Sequence, residues 1–250
     1  MNAERSRGLV FDHVGRRFGV GGRWAALTGL TVRCDPGEIL CLVGPNGAGK
    51  STALALAAGL LATSNGEIRF AGGRVTPTSP VARQGYLAQR SAFAPGLTVG
   101  DVLDFAVAAR GSNEEQRAES IALGDLEGVL GRRTRELSSG WLRRLDLAIA
   151  LLPPTDLLLL DEPLAGLDLA TLERSLPLLT KRAEEGAVVV LSSHDFEVVD
   201  RLRPQVAVLD AGRLLACESS AGVGCRAVYG RALAPPPAAG DPVVAEGTCP

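Results

Sequence analysis

An α/β fold built on a mainly parallel sheet is the class that this 250-residue chain predicts, and three stretches predict it. The first is Ile39-Leu40-Cys41-Leu42-Val43, an apolar run that passes through Gly44-Pro45-Asn46-Gly47-Ala48-Gly49-Lys50-Ser51-Thr52 into the helix-forming run Ala53–Ala58. The second is Leu157-Leu158-Leu159-Leu160, ending in Asp161-Glu162-Pro163, and the third is Ala187-Val188-Val189-Val190-Leu191, followed by Ser192-Ser193-His194-Asp195. Short runs that are apolar at every position, not at every second one, read as strands buried on both faces.

The glycine stretch carries the most chemistry. A strand, a glycine loop, Lys-Ser and a helix form the arrangement that cradles a nucleoside triphosphate. Glycines let backbone N–H groups approach phosphate oxygens that a Cβ would hold away, and a helix N-terminus adds free donors and partial positive charge. Lys50 is placed to meet the outer phosphates and the Ser51 hydroxyl to ligate Mg²⁺. The chain has only two lysines, Lys50 and Lys181, among 26 basic residues.

Taken in order, residues 8–35 alternate as half-buried antiparallel strands do, with Leu9, Phe11, Leu30, Val32 and Cys34 on one face. Asp35-Pro36-Gly37 is a turn. Gly66–Phe70 reads as a strand, and Tyr86–Gln89 as a short one. Strand signals then stop. Val102, Phe105, Ala106 and Ala109 make a helical stripe, and Ser112 with Glu115 reads as a capping box. Ser138 or Ser139 can cap a helix running to Leu152, ended by Pro153-Pro154. Asp168 opens a long helix closed by Gly186, which Pro177 is expected to kink or split. Asp210-Ala211-Gly212 reads as a hairpin turn between two strands.

The expected architecture is a P-loop NTPase core with a mixed parallel sheet, an N-terminal antiparallel β-subdomain and a helical subdomain inserted at about 91–140. One domain would span 1–228, with a Pro/Ala/Gly-rich tail over 229–250, expected to be disordered. Net charge is −2, so no global basic field points to nucleic acid. Cys34, Cys41, Cys217, Cys225 and Cys249 form no CxxC pair or metal spacing, which suits a reduced, intracellular setting. Residues 1–10 are polar and charged, unlike a secretory leader. The most apolar region, Leu145–Leu160, is broken by Asp146, Pro153, Pro154 and Asp156, whereas a bilayer span needs about 20 apolar residues.

Other residues are ambiguous singly. Asp161-Glu162 suits a magnesium and general-base pair, or merely a turn before Pro163. His194 suits proton transfer or an ordinary surface position. Phe18 and Gln89 say little alone, and Leu137-Ser138-Ser139-Gly140-Trp141 reads as a serine-capped helix start.

Together these stretches resemble the ATP-binding subunits of ABC transporters, over about residues 8–220. The resemblance implies that Phe18 stacks on adenine, that Gly44–Thr52 is the Walker A loop and that Asp161 is the Walker B aspartate, a magnesium ligand with Ser51 and Gln89. It implies Glu162 as the catalytic glutamate, Gln89 as the Q-loop glutamine, Leu164–Asp168 as the D-loop and His194 as the switch histidine. Leu137–Trp141 is similar to the family signature Leu-Ser-Gly-Gly-Gln, with Ser139 in place of the first glycine and Trp141 in place of the polar residue. In the family that segment meets the ATP of a second subunit, which makes Ser138, Ser139, Gly140 and Asp168 contacts across a dimer. The implied function is ATP hydrolysis that powers a separate membrane permease from the cytoplasmic face of the plasma membrane. Trp141–Ala148 looks like the exporter branch handling drugs, lipids or polysaccharides. The alternatives are an importer ATPase, a permease-free ABC ATPase of DNA repair or translation, and a small P-loop kinase.

Overall fold

The apolar runs become adjacent strands of one six-stranded sheet in the computed structural model, which describes residues 8–89 and 93–234. The strands are β1 (Leu9–Phe18), β2 (Trp24–Cys34), β3 (Ile39–Val43), β4 (Asn65–Phe70), β5 (Gly73–Arg74), β6 (Gln84–Leu87), β7 (Leu157–Asp161), β8 (Val188–Ser192), β9 (Gln205–Asp210) and β10 (Arg213–Ser219). The helices are α1 (Lys50–Ala57), α2 (Val99–Arg110), α3 (Glu114–Gly124), α4 (Ser139–Ala150), α5 (Leu169–Glu184), α6 (Phe196–Asp200) and α7 (Cys225–Leu233). The large sheet runs β10-β9-β3-β8-β7-β6; only the edge strand β10 is antiparallel. A second, antiparallel sheet has the order β2-β1-β4-β5.

Strand periodicity explains why the central runs are apolar throughout. Leu40, Leu42, Leu157, Leu159, Val188 and Val190 point to one face, where they pack with α1 and the antiparallel sheet. Ile39, Cys41, Val43, Leu158, Leu160, Val189 and Leu191 point to the other, against α4, α5 and α7. Both faces are covered, so every position must be apolar. Burial pushes the Cys34 and Cys41 thiols well up, and both pack as small apolar groups.

A third cluster holds α2, α3 and the outer face of α4 together through Val99, Leu103, Ile121, Leu126, Leu145 and Ala148. Helix α4 therefore belongs to two cores, one face in the helical cluster and the other on the sheet. Its C-terminal carbonyls are capped from elsewhere: Arg110 donates to Ala150 O and Leu152 O, and Arg182 to Leu151 O.

Several sequence expectations shift. The α2 stripe is Val99, Val102, Leu103 and Ala106; Phe105 is 75% exposed and Ala109 faces solvent too. The capping box of α3 is Asn113 with Gln116, one residue beyond Ser112 and Glu115, and the Ser112 hydroxyl instead donates to Pro153 O. Strand β6 ends at Leu87, leaving Ala88 and Gln89 in the following loop, and α4 stops at Ala150, not Leu152. Pro177 does not split α5: it is exposed, and the carbonyl it frees belongs to exposed Glu173, where water can serve it. Residues 225–233 form α7, which packs Cys225 and Val228 into the core, so the first residues of the expected tail are helical. Residues 235–250, including Cys249, lie outside the described residues.

Candidate functional site

Four neighbouring parallel strands, β3, β8, β7 and β6, deliver their carboxyl ends to one edge of the sheet. The glycine loop leaves β3, Ser193-His194 leave β8, Asp161-Glu162 close β7, and Gln89 follows β6. That edge is where open α/β sheets bind ligands.

Two glycines in the loop are required by space. A Cβ on Gly44 would stand 2.1 Å from Leu209 O, and one on Gly49 2.5 Å from Ala26 O; both have positive φ, 151° and 104°. Lys50 opens α1, is 9% exposed, and donates from Nζ to Gly44 O at 2.7 Å and Pro45 O at 3.1 Å. A cleft of 490 Å³ is lined by Phe18, Ala26, the loop from Asn46 to Thr52, Gln89, Asp161 and Glu162.

The carboxylates are held by β8. Ser192 Oγ donates to Asp161 Oδ1 at 2.6 Å and accepts from the Glu162 N–H at 2.9 Å, across the register pair Asp161–Ser192. Asp161 is 2% exposed. Glu162 has φ 51°, in the left-handed region, and its Oε2 lies 2.9 Å from His194 Nδ1. A non-glycine residue there costs about 1–3 kcal/mol and persists only where surrounding bonds enforce it.

Helix α4 meets this edge. Ser138 caps it by accepting from Trp141 N–H, and Ser138 and Ser139 are exposed. Ser139 and Gly140 line a 610 Å³ cleft with Asn46, Gln89, Glu162, Gly166 and His194. Arg143 is buried and donates to Ala88 O, Asp161 O and Glu162 O. Burial pulls its pKa down, opposed by Asp146, Asp161 and Glu162. The Arg144 guanidinium lies 4.5 Å from the Trp141 ring centre and 2.5 Å from Asp168, which caps α5 through Thr171. Phe18 is half-buried, with the Arg16 guanidinium 4.5 Å over its ring.

A family model for ABC transporters matches residues 27–165. The chain belongs to this family. The hemin import ATP-binding protein HmuV of Nocardia farcinica is 38% identical over 221 residues, covering 85% of this ABC ATPase and 76% of that protein. The spermidine/putrescine import protein PotA of Mesorhizobium japonicum is 35% identical, over 81% of this chain and 58% of its own length. The sulfate/thiosulfate import protein CysA of Caulobacter vibrioides is 35% identical, over 77% and 60%. The chain thus spans less than two thirds of the latter two proteins. A solved ATP-binding subunit of an ABC transporter superposes with TM-score 0.80 at 24% identity, covering 90% of this chain and 98% of that one. A dimeric ATP-binding cassette bound to ADP and Pi gives 0.75 at 24% identity, over 84% and 98%. At such identity these two show the ABC cassette fold. The chain is the ATP-binding subunit of an ABC transporter, an ABC-type ATPase.

Ser192 and Arg143 were not singled out from the sequence. Ser192 ends an otherwise apolar strand, and Arg143 stands on the buried stripe of α4 four residues before Leu147 and seven before Ala150. A polar group at an apolar position is the signal each carries.

Proposed function

We propose that this subunit binds Mg-ATP between Phe18, the glycine loop and Asp161-Glu162, hydrolyses it with Glu162 and His194, and drives a separate membrane permease from the cytoplasmic face of the plasma membrane. The observation that carries the reading is the 2.9 Å contact of Glu162 with His194 at the sheet edge that also bears Lys50. Lys50 and the loop N–H groups hold the outer phosphates, and Glu162 orients and polarises the attacking water with His194 beside it. Ser51, Gln89 and Asp161 are oxygen donors on one cleft, the hard-ligand set that suits Mg²⁺, and Ser192 fixes the Asp161 carboxylate. Bound there, Mg²⁺ would neutralise charge developing on the phosphates.

Ser138, Ser139, Gly140 and Asp168 are the contacts proposed for the ATP of a second ATP-binding subunit. Their support is the accessible N-terminus of α4 and the dimer that a similar solved cassette forms. No helix among the described residues is long and apolar enough to cross a membrane, which suits a permease on another chain. The relatives' names favour import, whereas the resemblance of Trp141–Ala148 favours export. Affinity purification of the full chain from its own membranes tests the reading: a co-purifying permease and Mg-dependent ATPase activity support it, and capture of ribosomes or nucleic acid instead overturns it. ATP-driven accumulation in vesicles of defined orientation decides direction.

A further inference from the structure

Glu162 is gripped at three points. Ser192 Oγ accepts from its N–H, His194 meets its carboxylate, and Arg143 donates to its carbonyl. The first two grips come from β8 and the turn after it, which belong to the sheet. The third comes from α4, whose N-terminal end carries Ser138, Ser139 and Gly140. The same guanidinium reaches Asp161 O at 2.7 Å and Ala88 O at 2.9 Å, the residue before Gln89. One side chain thus bridges the ends of β7 and β6 to the helix. A planar guanidinium with five donors can serve three carbonyls at once, which an ammonium cannot do in the same geometry. A buried arginine on an apolar stripe satisfies its own donors this way whatever its role. What sets this one apart is where the carbonyls lie: on the Asp161-Glu162 pair and beside Gln89, with Glu162 at φ 51°.

The geometry points to Arg143 as a positioning residue that holds the Glu162 backbone in its left-handed conformation, so that hydrolysis depends on where α4 sits against the sheet. The inference rests on Glu162 being the catalytic carboxylate. Moving α4 by a fraction of a bond length loosens the carbonyl grip and lets Glu162 relax away from His194, without disturbing Lys50 or the glycine loop. Turnover and ATP affinity are therefore separable.

The test compares the full chain with Arg143→Met, Arg143→Lys and Glu162→Gln, measuring Mg-ATP turnover, ATP Kd and melting temperature. Arg143→Met is expected to lower kcat about ten- to a hundredfold, the loss of charge-assisted bonds, while Kd stays within about twofold. Arg143→Lys recovers part of the loss, since its ammonium still reaches some of the carbonyls. Turnover of Arg143→Met within about twofold of the parent, beside an inactive Glu162→Gln, overturns the proposal alone. Full turnover in Glu162→Gln overturns the catalytic reading and this proposal with it. ATP affinity, kcat and melting temperature all falling together in both Arg143 variants marks a mere brace and overturns it. If Arg143→Met does not fold, Arg143→Lys decides: reduced kcat at an unchanged melting temperature supports the proposal, and unchanged kcat refutes it.

Discussion

His194 Nδ1 stands 2.9 Å from Glu162 Oε2, joining the turn after β8 to the end of β7. An ionised carboxylate only accepts, so this pairing assigns the hydrogen between the two groups to Nδ1. Glu162→Gln keeps the shape and removes the charge. Its turnover is expected to fall about 10²–10⁴-fold with ATP binding retained. Single-turnover hydrolysis beside equilibrium binding checks this, and unchanged turnover removes Glu162 from the catalytic role. His194→Ala is expected to lose less, because it removes a contact to the Glu162 carboxylate and not the carboxylate itself.

The glycines of the loop are not equivalent. A Cβ at Gly44 would press on the backbone carbonyl of Leu209 at 2.1 Å, whereas a Cβ at Gly47 meets nothing within 4 Å and faces only the strain of φ 83°. Gly44→Ala is expected to cost more than about 3 kcal/mol, and Gly47→Ala about 1–2 kcal/mol. Urea unfolding of the two variants gives the comparison; equal losses would show that the loop yields around Leu209.

The sheet core was legible because burial on both faces demands apolar residues at every position, as at Leu157–Leu160 and Val188–Leu191. The strand–loop–helix arrangement around Gly44–Thr52 was legible because backbone lies too close at Gly44 and Gly49 for any residue but glycine. The α2 stripe was misplaced because Phe105 and Ala109 fit a helical period whose buried members are Val99, Val102, Leu103 and Ala106. Burial of those side chains depends on Ile121 and Leu126, which the local pattern does not contain. Arg143 and Ser192 were missed for the same reason: their partners, Glu162 and Asp161, lie 19 and 31 residues away.

By the resemblance of Leu137–Trp141 to the family signature, Ser139 takes the place of its first glycine. It is the first residue of α4 and is exposed, and even at neighbouring Gly140 an added Cβ would meet only Ser138 Oγ, at 3.9 Å. Among the described residues Ser139 is exposed, so crowding is expected from what docks on this end of α4. Ser139→Gly is therefore expected to leave the melting temperature nearly unchanged and ATP turnover in the assembled transporter equal or faster. A large loss of turnover would show that the serine makes a specific contact in that assembly.

Asp168 ties the turn before α5 to α4. Its carboxylate accepts from the Thr171 N–H at 3.0 Å and the Thr171 hydroxyl at 2.9 Å, and pairs with Arg144. The backbone bond from Thr171, then the hydroxyl and Arg144, hold it well below the usual carboxylate range. A carboxylate lowered in the folded state binds fewer protons there than in the unfolded chain, so stability rises with pH across its titration. The contribution is complete above the unfolded value of about 3.9 and is lost as pH falls from there through the depressed folded value. Asp168→Ala also removes the N-cap of α5, a cost of about 1 kcal/mol at neutral pH. Urea unfolding of parent and variant is expected to give parallel stability curves from about pH 7 to 5 that converge below about pH 4. A gap that persists undiminished in acid would show that the cap works through shape and not through its charge.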